Sequence, residues 1–167
     1  MKNNKKRLRD LTHAGIIAAL YVVLTWFSAL VGLSGMGAIQ LRLSEALCVL
    51  PYFTASAVPG LTVGCLLANL LTGAAMPDVI FGTLATLLGA VGTRLLRRWW
   101  YLAPLPPIVA NTVIVPFVIR FAYTDVSESL PFLFLTVGIG ELLSVGVLGT
   151  VVLLALQKYK SRIFFEV

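Results

Sequence analysis

The stretch IQLRLSEALCVL, Ile39–Leu50, sets an amide (Gln40), a base (Arg42), a hydroxyl (Ser44) and an acid (Glu45) close together in the interior of the chain. The 167 residues around it are 59% hydrophobic and only 12% charged, with a mean hydropathy of +0.95. That balance lies outside the range of water-soluble domains and makes this a membrane protein. Ionised groups in such a setting need a reason, because one at the centre of a spanning helix costs on the order of 2.5–3.5 kcal/mol. Each must meet a partner, a water-lined cavity or a ligand.

Working outward, a spanning helix takes about 20 apolar residues, so the length holds five or six short spans. Proline, glycine and charge divide residues 1–167 into a single integral membrane domain with helices at about 11–32, 43–52, 58–71, 77–96, 105–121 and 131–159. The basic head before the first run looks like the start of a signal peptide. The run is long and lacks a small-residue cleavage site, which predicts a retained first helix. Six spans with a cytoplasmic N-terminus leave Lys2, Lys5, Lys6, Arg7, Arg9, Arg94, Arg97, Arg98, Lys158, Lys160 and Arg162 inside, and only Arg42 and Arg120 toward the outer side. Five or seven spans strand a basic cluster outside. The expected fold is an all-α bundle of six transmembrane helices with both termini cytoplasmic.

Several function classes drop out. The basic residues fall in short clusters between apolar runs rather than on one face of a soluble fold, which argues against nucleic acid. Cys48 and Cys65 lie in apolar segments with no CxxC pattern and no His nearby, so they read as buried bystander thiols, not metal ligands. No GxxxxGK[ST] loop is present to hydrolyse ATP, and neither HExxH nor GxSxG occurs. The single histidine, His13, sits beside the basic head, away from the polar cluster. The chain is not expected to be an enzyme or to carry a cofactor or metal.

The polar groups at membrane depth are Gln40, Arg42, Glu45, Asn69, Asp78, Asn111, Arg120 and Glu141. Each has a structural reading beside a functional one. Arg42 and Glu45 are three apart, adjacent on a helical face, which suits a local ion pair. Asp78 follows Pro77 at a helix start, where it can cap. Asn69 and Asn111 serve as well for interhelical glue as for ligand contacts, and Arg120 suits snorkelling to the headgroups. Glu141, within GIGELLSVG, is either a buried neutral or paired carboxyl or a ligand contact, with glycines beside it that admit a flat group. In the six-helix arrangement Gln40, Arg42, Glu45, Asn69, Asp78, Asn111 and Glu141 converge on one outward-facing pocket. Carboxylates, amides and one Arg suit a flat, hydrogen-bonding cation. On the first helix, Ala14 and Ala18, then Gly15 and Ala19, are four apart and form a smooth strip, for packing within the bundle or for docking a second membrane subunit.

Ile39–Gly73 (IQLRLSEALCVLPYFTASAVPGLTVGCLLANLLTG) followed by Asp78–Ala90 (DVIFGTLATLLGA) resembles the QueT family of queuosine-precursor transporters, substrate-binding S components of energy-coupling factor (ECF) transporters. The resemblance implies a multi-pass protein of a prokaryotic cell membrane that captures a 7-deazaguanine, such as 7-aminomethyl-7-deazaguanine or queuine, from outside. It also implies partners: a transmembrane coupling subunit, docked through an AxxxA pattern that Ala14 and Ala18 match, and two cytoplasmic ATPases that consume ATP. A guanine-like edge then goes to Glu141 or Glu45, the aminomethyl cation to Asp78, and the remaining hydrogen bonds to Gln40, Asn69 and Asn111. The competing expectation is a stand-alone proton- or cation-coupled carrier relaying charge through Glu141 and Asp78.

Overall fold

A computed structural model describes residues 2–33, 41–123 and 128–160. All regular structure among them is helical. Helix α1 spans Lys2–Leu30, α2 Ala57–Leu71, α3 Met76–Leu95 and α4 Leu105–Ala122. Between α1 and α2 lies a 3-10 helix, Leu43–Tyr52, and after α4 one long rod is built from α5 (Leu130–Glu141), a π-helical segment (Leu142–Gly149) and α6 (Thr150–Gln157). Four stretches are long and apolar enough to cross a bilayer: Asn4–Leu30, Met76–Leu95, Trp100–Ala122 and Leu130–Gln157. Large apolar side chains such as Trp26, Phe27, Phe81 and Leu135 are exposed around the bundle, the arrangement of a surface solvated by lipid rather than water.

Helix α1 begins nearer the N-terminus than the apolar run predicts, because the Lys- and Arg-rich head is itself a good helix former and simply prolongs the rod. At the other extreme, Ser44–Pro51 of the 3-10 helix are all buried. This segment does not sit on the bundle but runs through it. A 3-10 helix rises about 2.0 Å per residue and stacks side chains three apart, so ten residues cover about 20 Å on a thin rod. Opposite it lies the π-helical segment: Gly149 faces Val49 and the Ala46 carbonyl so closely that a Cβ there would stand 3.0 Å from Val49 Cγ1. Around this pair, Tyr21, Phe53, Leu61, Val145 and Leu153 complete the core.

The small-residue strip on α1 is split between two environments. A Cβ added to Gly60 of α2 would lie 2.8 Å from the Ala14 carbonyl oxygen, and one added to Gly64 would lie 2.8 Å from Tyr21 Cβ and 3.0 Å from Ala18 Cα. Ala14 and Ala18 are therefore spent on packing α1 against α2 at backbone contact. Gly15 and Ala19 point the other way and are exposed. Substituting Gly64→Ala is expected to wedge the two helices apart and to cost roughly 1–3 kcal/mol, as overpacking does. Thermal unfolding of the detergent-purified chain would show it, and an unchanged midpoint would contradict this contact.

One end of the bundle gathers the C-terminus of α1, the α2–α3 turn and the C-terminus of α4. This follows from the Leu43 amide donating to the Ser28 hydroxyl of α1 at 3.0 Å, from the Arg42–Asp78 ion pair and from the Tyr123 contacts with Ala75 and Asp78. The other end holds the base of α3, where Arg94 donates to the Pro51 carbonyl at 3.3 Å and Thr93 to that of Ala103 at 2.8 Å.

Candidate functional site

Side chains three or four apart on five elements face a shared hollow below the first of these ends. The 3-10 helix and the residue before it contribute Glu45 and Arg42, α2 contributes Cys65, and α3 contributes Asp78, Gly82 and Thr86 at successive turns. Asn111 and Val115 of α4 and Val137 and Glu141 of α5 close it, each pair one turn apart. The hollow measures about 500 Å³ counted out to its open mouth. Gly82 makes room in it: a Cβ there would stand 3.2 Å from both Asn69 Nδ2 and Asp78 Oδ1.

Glu45 is fixed from several sides. Tyr21 of α1 donates its hydroxyl to Oε1, while Cys48 (3.1 Å) and Asn111 (3.3 Å) donate to Oε2. Cys48 is its neighbour at i+3, which a 3-10 helix aligns directly above it. The side chain is 3% exposed, so these donors replace the water it lost. Glu141 lines the same hollow, so two carboxylates share it. Glu141 is the less satisfied of the pair: its Oε2 is buried without a hydrogen-bond partner. Such a group carries a desolvation cost of about 1–3 kcal/mol, more if ionised, until a donor reaches it.

Asp78 stands nearer the mouth. Its Oδ2 accepts the Tyr123 hydroxyl at 3.0 Å and lies 3.9 Å from Arg42 Nη2. The Arg42 side chain keeps 28% of its surface exposed and that of Asp78 9%. Tyr123 also accepts from the Ala75 amide at 3.4 Å. Burial and the adjacent Asp78 carboxylate raise the Tyr123 phenol above its ordinary value, so it keeps its proton and remains a donor.

Of the residues singled out from sequence, Arg42, Glu45, Asp78, Asn111 and Glu141 come together here. Gln40 lies outside the described residues. Asn69 stands behind the wall, its amide 3.6 Å from Cys65 Sγ and 3.5 Å from the Asp78 carbonyl, where it ties α2 to α3. The local Arg42–Glu45 ion pair that spacing offered as the alternative to a binding role gives way to Arg42–Asp78, while Glu45 faces Tyr21 and Asn111. Tyr21, Thr86, Gly82 and Tyr123 were not legible as site residues. For Tyr21 there was a signal: a phenol within an apolar helix needs a partner for its hydroxyl.

This geometry gathers two carboxylates, an amide and an ion pair in one hollow with valine walls. A family model described as QueT transporter matches residues 11–158. The chain belongs to the QueT transporter family. Within it, the "Queuosine precursor transporter QueT" of Lactococcus lactis subsp. cremoris (strain MG1363) is 39% identical over 83 residues, covering 50% of this chain and 48% of that protein. The chain thus spans about half the length of the curated relative it matches. No solved structure matches the chain.

Proposed function

We propose that the protein is the solute-capturing subunit of a queuosine-precursor importer and that its ligand is a 7-deazaguanine. The observation that carries this reading is the buried, partnerless Oε2 of Glu141 in a hollow whose chemistry is dominated by acceptors. An acceptor-rich cavity calls for a donor-rich solute. A 7-deazaguanine offers a ring N–H beside an exocyclic amine, which a carboxylate accepts as a fork, and its flat ring suits the Val115 and Val137 walls. Glu141 is assigned to that edge in preference to Glu45, whose oxygens already hold Tyr21, Cys48 and Asn111. Asp78 takes the aminomethyl cation, and the Asn111 amide with Arg42 takes the ring carbonyl.

The remaining parts of the reading follow the family resemblance. The mouth faces outward and the basic end faces the cytoplasm of a prokaryotic cell, in keeping with the distribution of Lys and Arg. The chain acts as an ECF S component, does no chemistry on its solute, and relies on a coupling subunit and two ATPases for energy. The docking face is the exposed Gly15–Ala19 side of α1, where no atom lies within 4 Å of a Cβ added to Gly15; Ala14 and Ala18 are already engaged with α2.

Calorimetry on the detergent-purified chain tests the solute. Saturable binding of 7-aminomethyl-7-deazaguanine, its 7-nitrile counterpart or queuine is expected, with none for riboflavin or biotin. Absence of binding to all three deazaguanines would overturn the assignment. Uptake by vesicles containing this chain alone, driven by a proton gradient, would favour the stand-alone carrier instead.

A further inference from the structure

Asp78 sits in the first turn of α3, a position where a carboxylate usually serves its own helix. Here its partners lie on other elements. Oδ2 accepts from Tyr123, one residue beyond α4, and faces Arg42, which precedes the 3-10 helix. Oδ1 takes no part in those contacts; it lies within 3.2 Å of where a Gly82 Cβ would stand, and Asp78 and Gly82 both line the hollow. Tyr123 is itself anchored, because its oxygen accepts from the Ala75 amide at the start of α3. The phenol therefore fixes both the turn that carries Asp78 and the orientation of its carboxylate.

We propose that Tyr123 is a specificity-determining positioning residue: by holding Oδ2 at the rim it aims Oδ1 of Asp78 into the hollow as the receptor for a primary ammonium on the solute. Arg42 is the counter-ion that this ammonium replaces. At 3.9 Å its contact is looser than a good charge-assisted hydrogen bond, and its side chain keeps 28% of its surface exposed. Uncharged solutes of the same ring class have nothing to offer Oδ1 and gain nothing from its placement. The inference rests on the deazaguanine reading and adds to it the residue that separates cationic from neutral members.

The test is calorimetry of the wild-type, Tyr123→Phe and Asp78→Asn chains with 7-aminomethyl-7-deazaguanine and the uncharged 7-cyano-7-deazaguanine. Tyr123→Phe is expected to weaken the cationic base about tenfold, the loss of one charge-assisted contact, and to leave the nitrile within about twofold. Asp78→Asn, which keeps an acceptor for Tyr123 but removes the charge, is expected to give the same selective loss, and Tyr123→His, which keeps a ring and a donor, is expected to weaken the cationic base less than Tyr123→Phe does. Equal weakening of both bases would mean that Tyr123 merely braces the fold and would overturn the proposal. A wild-type chain that binds neither base would instead remove the deazaguanine reading itself, and this inference with it.

Discussion

Glu141→Gln is expected to weaken 7-aminomethyl-7-deazaguanine binding by at least about a hundredfold while leaving the stability of the empty protein almost unchanged. Two charge-assisted hydrogen bonds to one carboxylate are worth about 1.5–3 kcal/mol each, and each 1.4 kcal/mol is tenfold in affinity. Glutamine keeps one acceptor but turns the other into a donor, which meets the donors of the purine edge head-on. The empty protein loses nothing comparable, because Oε2 of Glu141 has no hydrogen-bond partner in it. Titration calorimetry and thermal unfolding on the same preparation separate the two effects. If the variant bound the base with wild-type affinity, Glu141 would not be the group that reads it.

The span pattern was legible because it depends on little beyond apolar run length and the placement of charge, and the long apolar rods of the structure are elements that such runs define. The cost of charge at membrane depth was equally legible: it picked out Glu45, Asp78 and Glu141 without reference to any fold, and all three line one hollow. What periodicity could not reveal was the kind of helix. Leu43–Tyr52 is an apolar run that reads alike as α or 3-10, and the choice is made by the narrow space between α1, α3 and the π-helical segment. That choice decides partners. On the tight spiral Glu45 stands over Cys48, and Arg42 is left at the rim, where Asp78 meets it.

Residues acting through a hydroxyl or through the lack of a side chain stayed hidden for a different reason. Tyr21 and Thr86 carry little penalty in an apolar helix, so depth alone does not mark them, and Gly82 resembles any other small residue on a packed face. Asn69 is the converse case, since an amide at membrane depth advertises itself whether it meets a ligand or ties two helices, and here its amide lies 3.5 Å from the Asp78 carbonyl. The strip on α1 combines both situations. Spacing identified the small residues, but only the position of α2 shows that Ala14 and Ala18 face Gly60 and Gly64 while Gly15 and Ala19 remain outside.

Glu45→Gln is expected to act in the reverse sense to Glu141→Gln, lowering stability first and affinity only as a consequence. In the wild type the Glu45 carboxylate accepts from three donors: the Tyr21 hydroxyl, the Cys48 thiol and the Asn111 amide. A glutamine amide nitrogen placed at Oε2 would face Cys48 and Asn111 donor to donor, and placed at Oε1 it would confront Tyr21. Tyr21 can answer by rotating its hydroxyl to accept, but its own proton then lacks an acceptor, so at least one buried group loses its partner. At about 1–3 kcal/mol for such a group, the unfolding midpoint is expected to fall on the order of 2–12 °C for a chain of this length. Because Tyr21 is also the residue that Gly64 contacts, the damage should extend to the α1–α2 interface, and Glu45→Gln combined with Gly64→Ala should cost less than the sum of the two alone. Strict additivity in thermal or denaturant unfolding would show that the carboxylate and the helix contact are independent, and that Tyr21 does not join the binding site to the packing of the first helix.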